Sequence, residues 1–89
     1  MSAKDDFYTY TIDSSIAVWM VKAYFNKIDP RSAGETYQIN RCNIKVILKP
    51  NRRLGSIEIP CTTIVFQGNR EDCDLAAEAY RLQFLSAGG

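Results

Sequence analysis

The stretch from Cys42 to Gln67, CNIKVILKPNRRLGSIEIPCTTIVFQ, decides the fold class. Ile44, Val46 and Leu48 alternate with Asn43, Lys45, Ile47 and Lys49. That period of two is the mark of a half-buried strand. Pro50-Asn51-Arg52-Arg53-Leu54-Gly55 interrupts it as a hairpin tip, and alternation resumes at Ile57 and Ile59. A third run, Thr62-Thr63-Ile64-Val65-Phe66, is dense in β-branched and aromatic residues. Pro60, between the second and third runs, predicts an edge position or a bulge there. Tyr37 and Ile39 read as inward residues of a segment leading into the sheet, so the first strand begins as early as Thr36.

Working outward, each side of this sheet predicts a helix. Upstream, Asp13-Ser14-Ser15 is a cluster of capping residues before an apolar run, which predicts a helix over 15–27. Ile16, Trp19, Met20, Ala23, Tyr24 and Ile28 form one helical stripe, and Val18, Val21 and Phe25 a second beside it. One sheet face cannot cover so wide an apolar surface. Downstream, Asn69 is an N-cap residue with Glu71 and Asp72 in the first turn, where the helix dipole favours acids. Cys73, Ala76, Ala77, Tyr80 and Phe84 share the face that packs on the sheet, and the helix frays near Ser86, before Gly88-Gly89. Phe7–Ile12 reads as either a short edge strand or an ordered arm. Asp29-Pro30-Arg31-Ser32-Ala33-Gly34 is breaker chemistry. The expected architecture is α+β: helix, three-stranded antiparallel sheet, helix (αβββα), with room for a short N-terminal strand in front.

Eighty-nine residues allow one domain, spanning 1–89, with 1–6 as a disordered tail. A hydrophobic content of 46% supplies one ordinary core. The 11 basic residues against 10 acidic leave a net charge of +1, less basic excess than a dedicated nucleic-acid binder carries. There is no histidine, which removes the commonest general base and metal ligand. Cys42, Cys61 and Cys73 contain no Cys-x-x-Cys pair, so no zinc site and no disulfide framework is expected. Cys73, at a helix start, is a candidate for a lowered thiol pKa, which the neighbouring acids oppose. The charged N-terminus does not read as a signal peptide, and the apolar run Ile16–Val21 is too short to span a bilayer. The expectation is an intracellular protein, cytoplasmic or nuclear, with no membrane contact, no cofactor and no enzymatic activity.

Two surfaces stand out as candidates. Val18, Trp19, Lys22 and Phe25 form the candidate protein interface, because aromatic residues anchor such contacts. Lys45, Lys49, Arg52 and Arg53 form a candidate nucleic-acid site, read as a basic hairpin tip able to reach phosphates. Charged loop tips and edge lysines are equally a device against sheet aggregation. Tyr8 and Tyr10 could stack on bases or pack on the domain.

The element order resembles that of the double-stranded-RNA-binding domain over residues 14–85. In detail it is similar to the dimerisation domain of Dicer proteins. The residues that carry this are Ser15-Ile16-Ala17-Val18, the pair Tyr24-Phe25, the segment Cys42 to Asn51 and the alanine-rich Leu75-Ala76-Ala77-Glu78-Ala79. The resemblance implies a non-enzymatic interaction or oligomerisation module. RNA-binding members place lysines at the start of the last helix, where this chain has Arg70-Glu71-Asp72-Cys73-Asp74. A ribosome-associated βαβββα fold has a similar order. The functions left open are a protein partner or homo-oligomer, weak RNA binding through the basic hairpin, and a structural part of a larger assembly.

Overall fold

The computed structural model describes residues 8–31 and 36–88, with side chains through Phe84. The expected tail over 1–6 and residues 32–34 of the breaker segment lie outside the described residues. The elements run β1 (Tyr8–Ser14), α1 (Val18–Ile28), β2 (Thr36–Ile39), β3 (Cys42–Leu54), β4 (Ile57–Gly68) and α2 (Arg70–Gly88). The sheet order is β1-β4-β3-β2, and all three pairings are antiparallel. The α+β class and antiparallel sheet therefore stand, but the sheet has four strands. The segment read as an edge strand or an arm is β1, which pairs along the full length of Ser14↔Thr62 to Tyr8↔Gly68.

The strands after α1 divide differently from the expectation. Pro50 and Pro60 do not end strands. Lys49 pairs with Cys61 and Arg52 with Ile59, so Pro50 and Asn51 are accommodated opposite Pro60 in an irregularity of the ladder. Proline has no N–H to give, and a bulge is where a ladder needs none. The β3–β4 ribbon thus runs on to a two-residue turn, Gly55-Ser56, between Leu54 and Ile57. Gly55 has φ +62°, as a primed hairpin turn requires at its first position. The turn at Asn40-Arg41 joins β2 to β3, with Asn40 at φ +54°.

One face of the sheet carries the core. Ile44, Val46, Ile64, Phe66, Cys42 and Tyr37 alternate inward, as the period of two requires, and all are buried. Val21 and Phe25 of α1, and Cys73, Ala76, Ala77 and Tyr80 of α2, close over them. The small Ala76 and Ala77 let α2 sit close to the sheet. Phe25 is the centre of an aromatic cluster, stacked on Tyr37 at 5.5 Å and on Tyr80 at 5.9 Å between centroids. The opposite sheet face is mostly exposed, with half-buried Ile47 and Val65 among polar neighbours.

Local hydrogen bonds explain where the helices begin. Asn69 caps α2 as read from the sequence: its Oδ1 accepts from the Asp72 N–H at 3.1 Å. The start of α1 departs from the reading. Asp13 and Ser14 belong to β1, and the helix begins at Val18 behind Ala17, which makes no side-chain cap. Both residues are used elsewhere. Asp13 Oδ1 accepts from the Thr63 hydroxyl at 2.8 Å, and Ser14 Oγ accepts from the Ile16 N–H and from the Tyr80 hydroxyl. The capping residue types were present, but Thr63 across the ladder claims Asp13, and Ile16 and Tyr80 of α2 claim Ser14.

Candidate functional site

The two apolar stripes of α1 divide between core and surface. Phe25 is fully buried and Val18 half-buried against the core, so the strip Val18-Val21-Phe25 faces the sheet. Phe25 cannot meet a partner, which corrects its placement in the interface. Two adjacent stripes of equal greasiness cannot be ordered by periodicity alone. The aromatic rings of Tyr37 and Tyr80 decide it by giving Phe25 somewhere to stack. Trp19 is 70% exposed and Lys22 half-buried. Trp19, Met20, Ala23 and Ile28 line one side of a shallow groove of ≈ 390 Å³, with Phe84 of α2 on the other and Tyr24 at its floor.

The basic residues do not form a tip cluster. The turn is Gly55-Ser56, and the cations are spread along β3. Lys45 projects from the open sheet face opposite Val65. Lys49 and Arg52 line a cleft of ≈ 410 Å³ with Asp13, Ser15 and Cys61. Arg53 is within 3.6 Å of Glu58, a cross-strand ion pair. Nor are the tyrosines of β1 open to bases: the Arg70 guanidinium covers the Tyr8 ring and that of Arg81 covers Tyr10. The acidic start of α2 is structural. Asp72 Oδ2 accepts from the Arg41 N–H at 3.0 Å and from its Nε at 3.2 Å, which fastens α2 to the β2–β3 turn.

The three thiols differ sharply. Cys42 and Cys73 are fully buried, while Cys61 is half-buried, its Sγ donating to the Ile59 carbonyl at 3.8 Å. Burial pushes the Cys42 thiol up to about 12, with the Cys73 side chain beside it as a second cause. Burial also raises Cys73, the hydrogen bond from Cys42 acting the other way. The helix N-terminus does not activate Cys73, because the thiol points into the core and Asp72 and Asp74 add negative charge. Among the described residues no group of His, Cys, Asp and Glu could hold a metal ion.

At the far end, α2 continues through Gly88, the first residue of the Gly88-Gly89 pair. The family model described as archaeal MoaD-like protein matches residues 11–89, and so runs from β1 through both glycines. The chain belongs to the archaeal MoaD-like family. No curated protein and no solved structure is matched. Membership corrects the resemblance to the double-stranded-RNA-binding domain, since the archaeal MoaD-like family is of ubiquitin-like type. A helix, three antiparallel strands and a helix is an order that element patterning alone assigns to more than one family. Membership also overturns the reading as an interaction or oligomerisation module of double-stranded-RNA-binding-like fold, and it gives no support to RNA contact through the basic hairpin of Lys45, Lys49, Arg52 and Arg53. The scattered cations and covered tyrosines agree with it. In this archaeal MoaD-like chain the sequence reading frayed α2 near Ser86, before Gly88-Gly89, whereas the helix runs on through Gly88.

Proposed function

We propose that this chain is a small sulfur-carrier-like protein that holds its sulfur as a thiocarboxylate rather than on a cysteine, on Gly89 where that residue is the chain's end. The observation that carries this is the match to the archaeal MoaD-like family through residue 89. A protein without a metal or prosthetic group can carry sulfur on a cysteine, as a persulfide, or on a carboxylate, as a thiocarboxylate. The first route is poor here. Cys42 and Cys73 are sealed in the core and held as neutral thiols, and only the thiolate is a good sulfur nucleophile.

The second route suits the end of α2. Glycine carries no side chain, so a Gly-Gly segment can enter a narrow active site. Drawing Gly88 out of the helix costs little, because glycine is a poor helix former and the last turn of α2 has no basic residue to support the dipole. A carboxylate is a weak electrophile and must be activated before sulfur displaces the leaving group. The chain has no histidine and no acid–base constellation for that work. A partner enzyme therefore supplies the activation, and this chain is cargo rather than catalyst. The exposed Trp19 groove ends at Phe84, close in sequence to the glycines, and offers that partner a handhold. No helix among the described residues is long and apolar enough to cross a membrane, and we place the carrier inside the cell.

Intact-mass measurement tests the reading. The protein is incubated with extract of its own cells, ATP and sulfide, then re-purified. The expected product is heavier by the exchange of one oxygen for sulfur, with the change mapped to Gly89. It persists in Cys61→Ser and disappears when Gly89 is removed. A sulfur gain that follows Cys61 and ignores Gly89 overturns the proposal. The same spectrum reads whether the chain ends at Gly89, which this chemistry needs.

A further inference from the structure

The carrier reading leaves two buried nucleophiles unused. Cys42 opens β3, and Cys73 lies in the first turn of α2. Both side chains are fully buried in one core cluster, near enough for each thiol to influence the other's ionisation. Their approach is fixed by the residues immediately before them. The Arg41 N–H donates to the Asp72 carboxylate at 3.0 Å, so the preceding residue of each cysteine is tied to the other. The Asn69 N–H donates to the Arg41 carbonyl at 3.0 Å, and the Cys73 N–H donates to the Asn69 carbonyl at 2.9 Å. Two backbone–backbone bonds and one backbone-to-carboxylate bond thus tie the start of β3 to the first turn of α2, 31 residues apart for the Arg41–Asp72 bond.

We infer that Cys42 and Cys73 are a disulfide-forming pair, which a small-molecule disulfide oxidises to a covalent staple between β3 and α2. In the first step one thiolate attacks the oxidant's S–S bond, expelling one thiolate and leaving a mixed disulfide on the chain. In the second, the other cysteine attacks the chain-bound sulfur and expels the second thiolate. Two electrons pass from the cysteine pair to the oxidant, which leaves as two thiols and takes up the two cysteine protons. Burial makes the reaction slow, because the first turn of α2 must open to admit the oxidant. Cys61 takes no part, lying half-buried in the separate cleft with Lys49 and Arg52.

The bridge would close a long chain loop, which restricts the unfolded state. The oxidised form is expected to melt on the order of 10 °C above the reduced form. The staple joins elements that the fold already holds in contact, so it does not alter the fold or use Gly88-Gly89. The inference is therefore independent of the carrier reading.

The test incubates the full chain with excess oxidised glutathione over a range of times, blocks free thiols with iodoacetamide, and measures intact mass before and after reduction. The expected product has lost two hydrogen atoms and is alkylated or glutathionylated only at Cys61. It yields a Cys42–Cys73 linked peptide on digestion and loses its added melting temperature on reduction. Cys61→Ser must give the same bridge, and this variant alters no core residue. The idea is overturned if prolonged oxidation leaves Cys42 and Cys73 both open to alkylation after unfolding. It is overturned equally if the bridge includes Cys61, or if Cys61→Ser forms only glutathione adducts.

Discussion

The ring of Phe25 lies parallel to that of Tyr80, 6° between planes and 5.9 Å between centroids. The contact joins α1 to α2 over the sheet, and it fixes which side of α1 is core. Phe25→Ala is expected to cost about 3–5 kcal/mol, the range for emptying a buried aromatic site. Trp19→Ala, on the exposed stripe, should stay within about 0.5 kcal/mol of the parent. Urea melts of the two variants check this. Equal losses would show that both stripes are core.

Gly68 closes β4 with φ +137° and sits against the backbone of Arg41. A Cβ there would collide with the Arg41 carbonyl oxygen, and the obstacle is main chain that cannot rotate away. That same carbonyl accepts from Asn69 at the start of α2. Gly68→Ala is therefore expected to lose more than about 2 kcal/mol, from combined clash and backbone strain. Gly55, also at positive φ, has open space around its Cβ position. Gly55→Ala should lose only about 1 kcal/mol, the conformational term alone. Comparing denaturation midpoints separates the two causes.

What the sequence made legible was whatever depended on local pattern. The alternation over Cys42–Val46 and Thr62–Phe66 located the buried face of β3 and β4, although Leu48, the next residue of that alternation, is exposed, and Asn69 announced the start of α2. What it hid depended on partners distant in the chain. Asp13 and Ser14 have capping side chains, yet Thr63 and Tyr80, about fifty or more positions on, hold them in a strand. Pro50 and Pro60 look like strand ends singly and become a bulge only when the ladder sets them opposite one another. The order of the two α1 stripes needed the position of Tyr80. The role proposed for Gly88-Gly89 rests on chemistry rather than on packing, which a search for core and motif does not weigh.

Asp72 carries three roles through one carboxylate and one turn of helix. Its N–H is capped by Asn69, and its Oδ2 holds both the main chain and the guanidinium of Arg41. Asp72→Ala is expected to cost about 1–2 kcal/mol, since the Arg41 N–H loses its acceptor and the first turn loses a favourable charge. Arg41→Ala should cost less than about 1 kcal/mol, because its side chain is 73% exposed and the main-chain N–H bond survives. Amide exchange at Arg41 should quicken in the Asp72 variant and remain slow in the Arg41 variant. A reverse order would place the energy in the ion pair.

The fold should fail on the alkaline side before it fails in mild acid. Burial raises the thiols of Cys42 and Cys73 and the hydroxyls of Tyr24, Tyr37 and Tyr80. Each such group holds its proton more tightly folded than unfolded. Below the unfolded values, 9.0 for cysteine and 10.0 for tyrosine, both states are protonated and the full stability is present. Above them the unfolded chain releases protons that the folded chain still keeps, and stability falls with each further unit of pH. For Cys42 that loss continues until the folded thiol also ionises, near 12. Under reducing conditions, the urea midpoint should be level from pH 7 to 8 and decline steadily from about pH 9. Cys42→Ala removes the largest single contribution and should flatten the first part of the decline, even though the variant starts from lower stability. A midpoint that stays constant to pH 11 would show that these groups are solvated in the folded protein.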